Sequence, residues 1–479
     1  MKKIRTLIAL AVLGTLPQAH AQVPEALQDA ARMAVTANPE VQARWHAFLA
    51  SEQDQLAVRG GYFPQVDLIA GVGHERQTRP NRDPKTESYN HRNATLALNQ
   101  MVYDGFFTRN EVARFGHAKL VRYYELVDAA ERTSMEVVRV YSDVLRYREL
   151  VKLAQDNYVR HKQVFDQISG RTAAGVGRGV DLEQATGRLA LAESNLLTEV
   201  SNLHDVSARY LRIVGVEAPE NLPLIGDSIA AGGLPPTVED ALREAFDTSA
   251  TLNAAVEDVA AAQRGVESRR AVFHPRLDLR ARQSFDHNLD GVSGESRDSV
   301  VELVLTYNLT RGGADQARLR QAAEAANQSK DLREKVCRDI RQTLSIAYND
   351  VNRIKEQLIY LDQHQLSTEK TREAYRQQFD IGQRTLLDLL DTENEYFEAR
   401  RAYVRAVYDR IIAQARTLTE MSRLTTALKV AREGLPTAAE AGQERAGIDP
   451  ASVCPPDAPT QLQIDKEAVF AEAMRAAGR

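Results

Sequence analysis

Apolar residues step by four and three through Ile340, Leu344, Ala347, Val351, Ile354, Leu358 and Leu361, the a/d spacing that lets helices pack knobs into holes. The stretch holding this seam, from 312 to about 380, has no proline and no glycine past its start. The stretch 105–168 is similarly clear apart from Gly116. It carries its own seam in Thr133, Val137, Val140, Val144, Tyr147, Val151 and Ala154. A further seam runs at sevens through Leu390, Phe397, Val404, Ile411 and Leu418. A helix of about 65 residues is about 100 Å long at 1.5 Å per residue, too long to fold into one globule. Elsewhere the period changes to two. Segments 66–72, 94–102, 277–282 and 301–307 alternate apolar and polar, which predicts strands with one apolar and one polar face.

These patterns occur twice in the same order. The tract 105–211 recurs 207 positions later without a gap: Tyr141, Asp143 and Val144 answer Tyr348, Asp350 and Val351, and Gly175 and Asp181 answer Gly382 and Asp388. Upstream the offset is 211, with Pro64, Asp67 and Leu68 answering Pro275, Asp278 and Leu279. The four-residue difference is expected in the loop after the first strand. Each unit opens with a helical stretch (24–60 and 237–272) and is turned into extended chain by Pro64 or Pro275. It then runs through a strand pair into a long helical hairpin with a short tip, 170–179 or 379–384. The expected layout is a leader 1–21, a first repeat 22–215, a connector 216–236, a second repeat 237–430 and a partly disordered tail 431–479, with a last short helix at 468–477.

Two strands of about ten residues joined by a polar loop have the length of a membrane-barrel hairpin, and a surface hairpin on a soluble domain would show the same pattern. The loops fit either reading, with Arg79, Pro80, Asn81, Arg82, Asp83 and Pro84 in one and Asp290, Gly291 and Gly294 in the other. In lipid, four strands would leave unpaired edges, so closure needs several chains. Three would supply twelve strands; strand number alone allows other multiples.

The N-terminus bears on the compartment. Lys2, Lys3 and Arg5 precede an apolar run from 7 to 16, followed by Ala19-His20-Ala21, the three regions of a secretory leader with cleavage before Gln22. The run is far short of the ~20 apolar residues that span a bilayer, and no cysteine follows the cleavage site to take a lipid. The formal charge is −5, and removing the basic leader makes the chain more acidic still, a poor nucleic-acid binder. Cys337 and Cys454 lie in a helical stretch and a Pro-rich tail, where no disulfide framework or metal site is expected. There is no HExxH, P-loop, nucleotide-type glycine turn or nucleophile elbow, so neither enzyme activity nor a cofactor is expected.

Duplicated strand pairs, heptad helices and the tip sequence Gly382-Gln383-Arg384-Thr385-Leu386-Leu387-Asp388-Leu389-Leu390-Asp391 together resemble the TolC-like outer-membrane efflux and secretion channels. The resemblance covers nearly the whole mature chain to about residue 430. It implies an α+β membrane protein, four β-strands per chain in a twelve-stranded trimeric barrel that continues into a long α-helical coiled-coil tunnel. The implied partners are two further copies of the chain, outer-membrane lipid, a periplasmic adaptor and an inner-membrane transporter. By position, Asp388 and Asp391 resemble the aspartates ringing the periplasmic entrance, Arg384 the basic residue that holds it shut, and Asp181 the partner of Arg384. Gly175, Gly177, Gly382 and Thr385 mark the tips that would meet the adaptor.

Two departures touch this gate: Phe379 stands where members of the family can have a tyrosine, and Val180 replaces a hydroxyl residue. They leave more of the closed state to Arg384–Asp181. Read from the residues alone, Asp388 and Asp391 share a helix face, and in a trimer their carboxylates would favour cations and raise one another's pKa. Acids in a first helical turn are also ordinary. The missing lipidation cysteine points toward type I protein secretion, with drug efflux as the alternative. A periplasmic coiled-coil scaffold or adaptor fits less well, because adaptors carry one hairpin flanked by β-rich domains.

Overall fold

The computed structural model describes residues 22–81, 83, 85–230, 233–430, 432, 434–443, 452, 454–455, 457–458 and 464–478. The expected leader, and Arg82 and Pro84 of the first hairpin loop, lie outside the described residues. The duplication is plain in three dimensions. Helices α3 (Phe107–Ala173) and α7 (Ala314–Asp380) have 67 residues each, and both start and end 207 positions apart. Each is entered through two successive left-handed residues, Gly105 and Phe106 in one, Gly312 and Gly313 in the other. Gly105 cannot be replaced cheaply, since a Cβ there would lie 2.7 Å from the Ala271 carbonyl oxygen. Helices α4 (Gly179–Val214) and α8 (Leu386–Glu420) return antiparallel to α3 and α7.

The opening helical stretch of each repeat is two helices where the sequence suggested one. α1 (Glu25–Ala37) gives way to α2 (Pro39–Arg59), and α5 (Val238–Thr248) to α6 (Ala250–Arg270). The break falls at Asn38 and at Ser249, which answer one another at offset 211. Asn38 accepts from the Glu40 amide at 2.9 Å and Ser249 from that of Leu252, so each leaves helical geometry to cap the next helix. Pro39 at the first helical position reinforces the first break.

The strands are β1 (Gln65–Thr78), β2 (Thr86–Tyr103), β3 (Arg276–His287) and β4 (Glu295–Thr306), one antiparallel sheet in the order β1-β2-β3-β4. They are longer than their apolar alternation suggested, because the pleat continues through polar residues at the hairpin end. The two hairpin loops, 79–85 and 288–294, are equally long; the first repeat's strands, of 14 and 18 residues against 12 and 12, are longer, and its link into the long helix, 104–106 against 307–313, is shorter, which leaves the net four-residue excess. The register sorts the faces. Val66, Leu68, Leu96, Leu279, Leu303 and Leu305 stand exposed on one. The other carries Asp67, Thr95, Arg282 and Asp298, with Arg282 donating to Asp298 at 3.2 Å. No helix among the described residues is long and apolar enough to cross a membrane. The exposed apolar face belongs to the sheet.

The heptad seams are buried as their spacing implies: Val137, Val140, Val144 and Ala154 in α3, Ile340, Leu344, Ala347 and Ile354 in α7, and Leu390 to Leu418 in α8. Midway along the long helices two apolar clusters form a waist. One joins α1, α3, α4, α8 and the connector; the other joins α5, α7, Met421 and Cys454. The repeat-related Tyr141 and Tyr348 fasten the connector at both ends, donating to the carbonyls of Pro223 (2.9 Å) and Pro235 (3.0 Å). Cys337 and Cys454, from which no bridge was expected, form a buried disulfide that pins the tail to α7. Nothing periodic in the Pro-rich tail shows that the chain returns to the waist. The short α9 (Leu424–Ala427) follows α8; beyond it Leu435, Ala438 and Ala441 pack with Val41, Phe48 and Leu120, and the terminal helix α10 (Lys466–Ala476) is exposed.

Glu131 of α3 is buried beneath α9, accepting from the Leu424 amide (2.9 Å) and the Thr425 amide (3.2 Å) and hydroxyl (2.5 Å). Burial pushes its carboxyl up to about 7, although the Thr425 and Leu424 bonds pull the other way. From about pH 4.5 to 7 the folded state therefore holds a proton that the unfolded chain has released. This group's contribution to stability is complete below that window and declines as pH rises through it. Replacing Glu131 by Gln removes the titration, so the thermal midpoint of the native protein relative to Glu131→Gln should rise as pH falls from 7.5 to 5. At 1.36 kcal/mol per pKa unit the full effect is on the order of 3 kcal/mol. A midpoint difference that is flat with pH would show that Glu131 titrates normally.

Candidate functional site

The two helical tips lie side by side at the end remote from the sheet. At the α3–α4 tip Gly175 takes a left-handed φ of +76°, and the amides of Val176 and Gly177 both donate to the Arg171 carbonyl at 3.0 Å. A Cβ on Gly177 would come 2.8 Å from the Thr172 amide nitrogen, so this turn closes only over glycine. At the α7–α8 tip Gly382 is left-handed (+77°) and its amide donates to the Phe379 carbonyl at 3.0 Å. Thr385 then caps α8 in a reciprocal box: its hydroxyl accepts from the Asp388 amide, while the Asp388 carboxylate accepts from the Thr385 amide (3.2 Å) and hydroxyl (2.8 Å).

That box changes the reading of Asp388. The Thr385 hydroxyl and amide hold its carboxyl below the ordinary carboxylate value. The expected mutual raising of pKa is not what the chain itself imposes there. Phe379, which lacks the hydroxyl of a tyrosine, turns its ring into the chain. It is buried with Val164, Ile168, Leu386, Leu389 and Leu390, an apolar clamp joining α3 to the second tip, with the Arg171 guanidinium 5.7 Å from its ring centroid.

The charged residues are satisfied locally. Arg384 donates to Gln378 Oε1 at 2.9 Å and lies 4.2 Å from the Tyr375 ring centroid. Asp181 accepts twice from Arg178, both at 3.0 Å. The expected Arg384–Asp181 link is therefore not made within the chain; each group finds a partner on its own turn first. Asp391 instead pairs with Arg188 of α4, the outermost ion pair between the two hairpins among the described residues. Sequence reasoning passed over both arginines. Arg178, three positions before Asp181, carried a spacing signal. Arg188 is 203 positions from its partner and carried none.

Behind the tips, α8 is tied to its neighbours by successive ion pairs. Buried Glu393 faces Arg372 (3.9 Å) and Arg160 (4.0 Å), and burial raises its carboxyl pKa against the pull of those arginines. Buried Glu199 takes Arg401 at 2.7 Å, Glu149 takes Arg400 at 3.2 Å, and Asp409 takes Arg146 at 2.8 Å. These bonds reach α3, α4 and α7. The shaft of each hairpin is thus held rigid, whereas the outermost turns rest on the Arg188–Asp391 ion pair, a 3.4 Å bond from Arg376 to Gln163 and the Phe379 cluster.

This combination of duplicated hairpins, four-stranded sheet and paired tips agrees with the family comparison. The model of a family described as outer membrane efflux protein matches residues 30–215 and 241–441. The chain belongs to this family. The outer membrane efflux protein BepC of Brucella suis is 24% identical over 427 residues, 88% of this chain and 91% of that one. The alkaline protease secretion protein AprF of Pseudomonas aeruginosa is 26% identical over 407 residues, covering 81% and 83% respectively. A crystal structure of a membrane protein from Pseudomonas aeruginosa superposes with a TM-score of 0.75 at 17% identity, over 84% of this chain and 94% of that one. As an outer membrane efflux protein the chain is an outer-membrane channel of the TolC-like fold, with its sheet in the membrane and its helical tunnel in the periplasm.

Proposed function

We propose that the chain is the outer-membrane channel of a tripartite export system for type I protein secretion, assembled as a trimer and gated at the paired helical tips. The observation that carries the gating is the placement of Arg188–Asp391 between the two hairpins, as the outermost ion pair that joins them among the described residues. Three copies would close β1 of one chain against β4 of the next. Val176 (79% exposed) and Ile381 (70%) present apolar ends at the tips for the hairpin of a periplasmic adaptor, which in turn engages an inner-membrane transporter. Type I secretion is supported by the likeness to a protease-secretion protein over most of its length. Drug efflux is the second reading, favoured by the likeness to a protein named for efflux. Deleting the gene and reading both the secreted proteome and antibiotic susceptibility tests this: loss of a secreted protein with unchanged susceptibility supports secretion, and the reverse pattern supports efflux.

The acidic tip also makes a prediction. Replacing Asp388 and Asp391 together by Asn should lower cation over anion preference severalfold in planar-bilayer recordings, since carboxylates at a constriction select cations. Asn keeps capping capacity at position 388, so the helix start survives. Unchanged selectivity would remove both residues from the conducting path.

A further inference from the structure

The lipid-facing side of the sheet has two different edges. Near the helices it is bordered by exposed aromatics, among them Phe63, Phe106, Phe273 and Tyr307, the side chains that favour a membrane–water boundary. Toward the hairpin loops it is bordered by the two arginines Arg92 and Arg297, with the acid Glu295 beside Arg297. Register places Val72, Arg92, His287 and Glu295 in one row across the four strands, and Ala70, Ala94, Phe285 and Arg297 in the row beneath. Period-two alternation puts both rows on the same face as Leu68, Leu96 and Leu303. Because the helices lead into the periplasm, the arginine-bearing edge lies in the outer leaflet.

The lower of these rows is also indented. Ala70 and Ala94 stand side by side between the larger Val72 and Phe285, leaving a cavity of about 470 Å³ whose lining includes Ala70, Ala94, Phe285, Arg92, His287 and Arg297. Arg92 is exposed and has no carboxylate partner among the described residues. Arg297 lies 5.8 Å from the Phe285 ring centroid, with only a long 3.8 Å approach to Glu295. His287 Nδ1 is buried without a hydrogen-bond partner.

We infer that this indentation binds a phosphorylated lipid of the outer leaflet. One acyl chain lies against Ala70, Ala94 and Phe285, and a head-group phosphate is held by Arg92 and Arg297. The charge is complementary, and the guanidinium fork matches phosphate oxygens two at a time. A neutral lipid would leave Arg92 at the edge of the hydrocarbon without a counter-charge and Arg297 with only its long approach to Glu295. The apolar half of the groove selects a lipid over a free anion, because inorganic phosphate would leave the alanine floor unfilled.

The test uses the full chain purified in neutral detergent, with binding followed by native mass spectrometry. The probes are hexa-acylated diphosphoryl lipid A, the same lipid with both phosphates removed, and inorganic phosphate. The diphosphoryl lipid should bind at least tenfold more tightly than the dephosphorylated one, and Arg92→Gln/Arg297→Gln should reduce that binding about tenfold. Ala94→Leu, which fills the groove and keeps both charges, should reduce it comparably; circular dichroism verifies that each variant is folded. Equal binding of the two lipids, or native-like binding by a folded double variant, would overturn the assignment. Displacement of the lipid by inorganic phosphate at equal concentration would replace it with a free-anion site.

Discussion

Replacing Cys454 by serine should lower the stability of the waist by about 5 kcal/mol and free the C-terminal tail. The bridge joins residues 117 positions apart. Closing a loop of that length removes unfolded-chain entropy worth roughly 4.7 kcal/mol in the chain-entropy account. The loss would be local, because Cys454 reaches one cluster only, with Leu344, Tyr348 and Met421 on the α7 side and Leu242 and Phe246 on α5. The tail beyond residue 443 has no other buried hydrophobic anchor among the described residues. Three readouts follow. Unfolded under alkylating, non-reducing conditions, the native chain should expose no free thiol and the variant one. Brief proteolysis should clip the variant within the tail first. Thermal unfolding should begin well below the native midpoint. Two alkylatable thiols in the native chain would remove the bridge from the account altogether. An exported protein is free to keep such a bond, since disulfides persist outside the reducing cytosol.

What was legible in the sequence follows from how local each signal is. The long helices were readable because a heptad seam repeats its message every few residues: α3 and α7 end at 173 and 380, close to where the glycines of the tips interrupt the pattern. The strand pairs were readable in their apolar half only. His74, Arg76 and Arg92 continue the same pleat, but alternation among polar residues leaves no contrast to detect. The breaks at Asn38 and Ser249 were written as capping residues inside apparently continuous helical stretches, a weak cue beside the helical periodicity on either side. Position in the duplication located the tips and their charged residues, yet their partners depended on which side chains the fold brings within reach. Asp388 turned inward to Thr385, Phe379 into an apolar clamp, and Asp391 to an arginine on the other hairpin. None of these choices is encoded at a short spacing except the Thr385–Asp388 box, whose Thr-x-x-Asp pattern resembles a capping box.

The second large effect expected is on the closed state, and its size depends on how the Arg188–Asp391 pair is broken. Both partners are substantially solvated, 32% and 55% exposed, and such pairs are worth about 0–1 kcal/mol. Arg188→Ala should therefore raise basal conductance only slightly. Arg188→Glu is different in kind: it sets two carboxylates against each other at the outermost ion pair between the hairpins, where like charges in close juxtaposition cost several kcal/mol. The outermost turns then have only the Arg376–Gln163 bond and the Phe379 cluster to hold them, while the shaft above stays fixed by Glu199–Arg401 and Glu149–Arg400. Basal conductance in planar bilayers should rise about tenfold or more for Arg188→Glu. Combining it with Asp391→Arg restores an opposite-charge pair in the reversed sense, and the conductance should return most of the way. That return distinguishes a latch from a residue whose loss merely loosens the tip. If the reversed pair conducts as freely as Arg188→Glu alone, the closed state is held by contacts between chains, and Arg384 and Asp181 become the residues to reverse next.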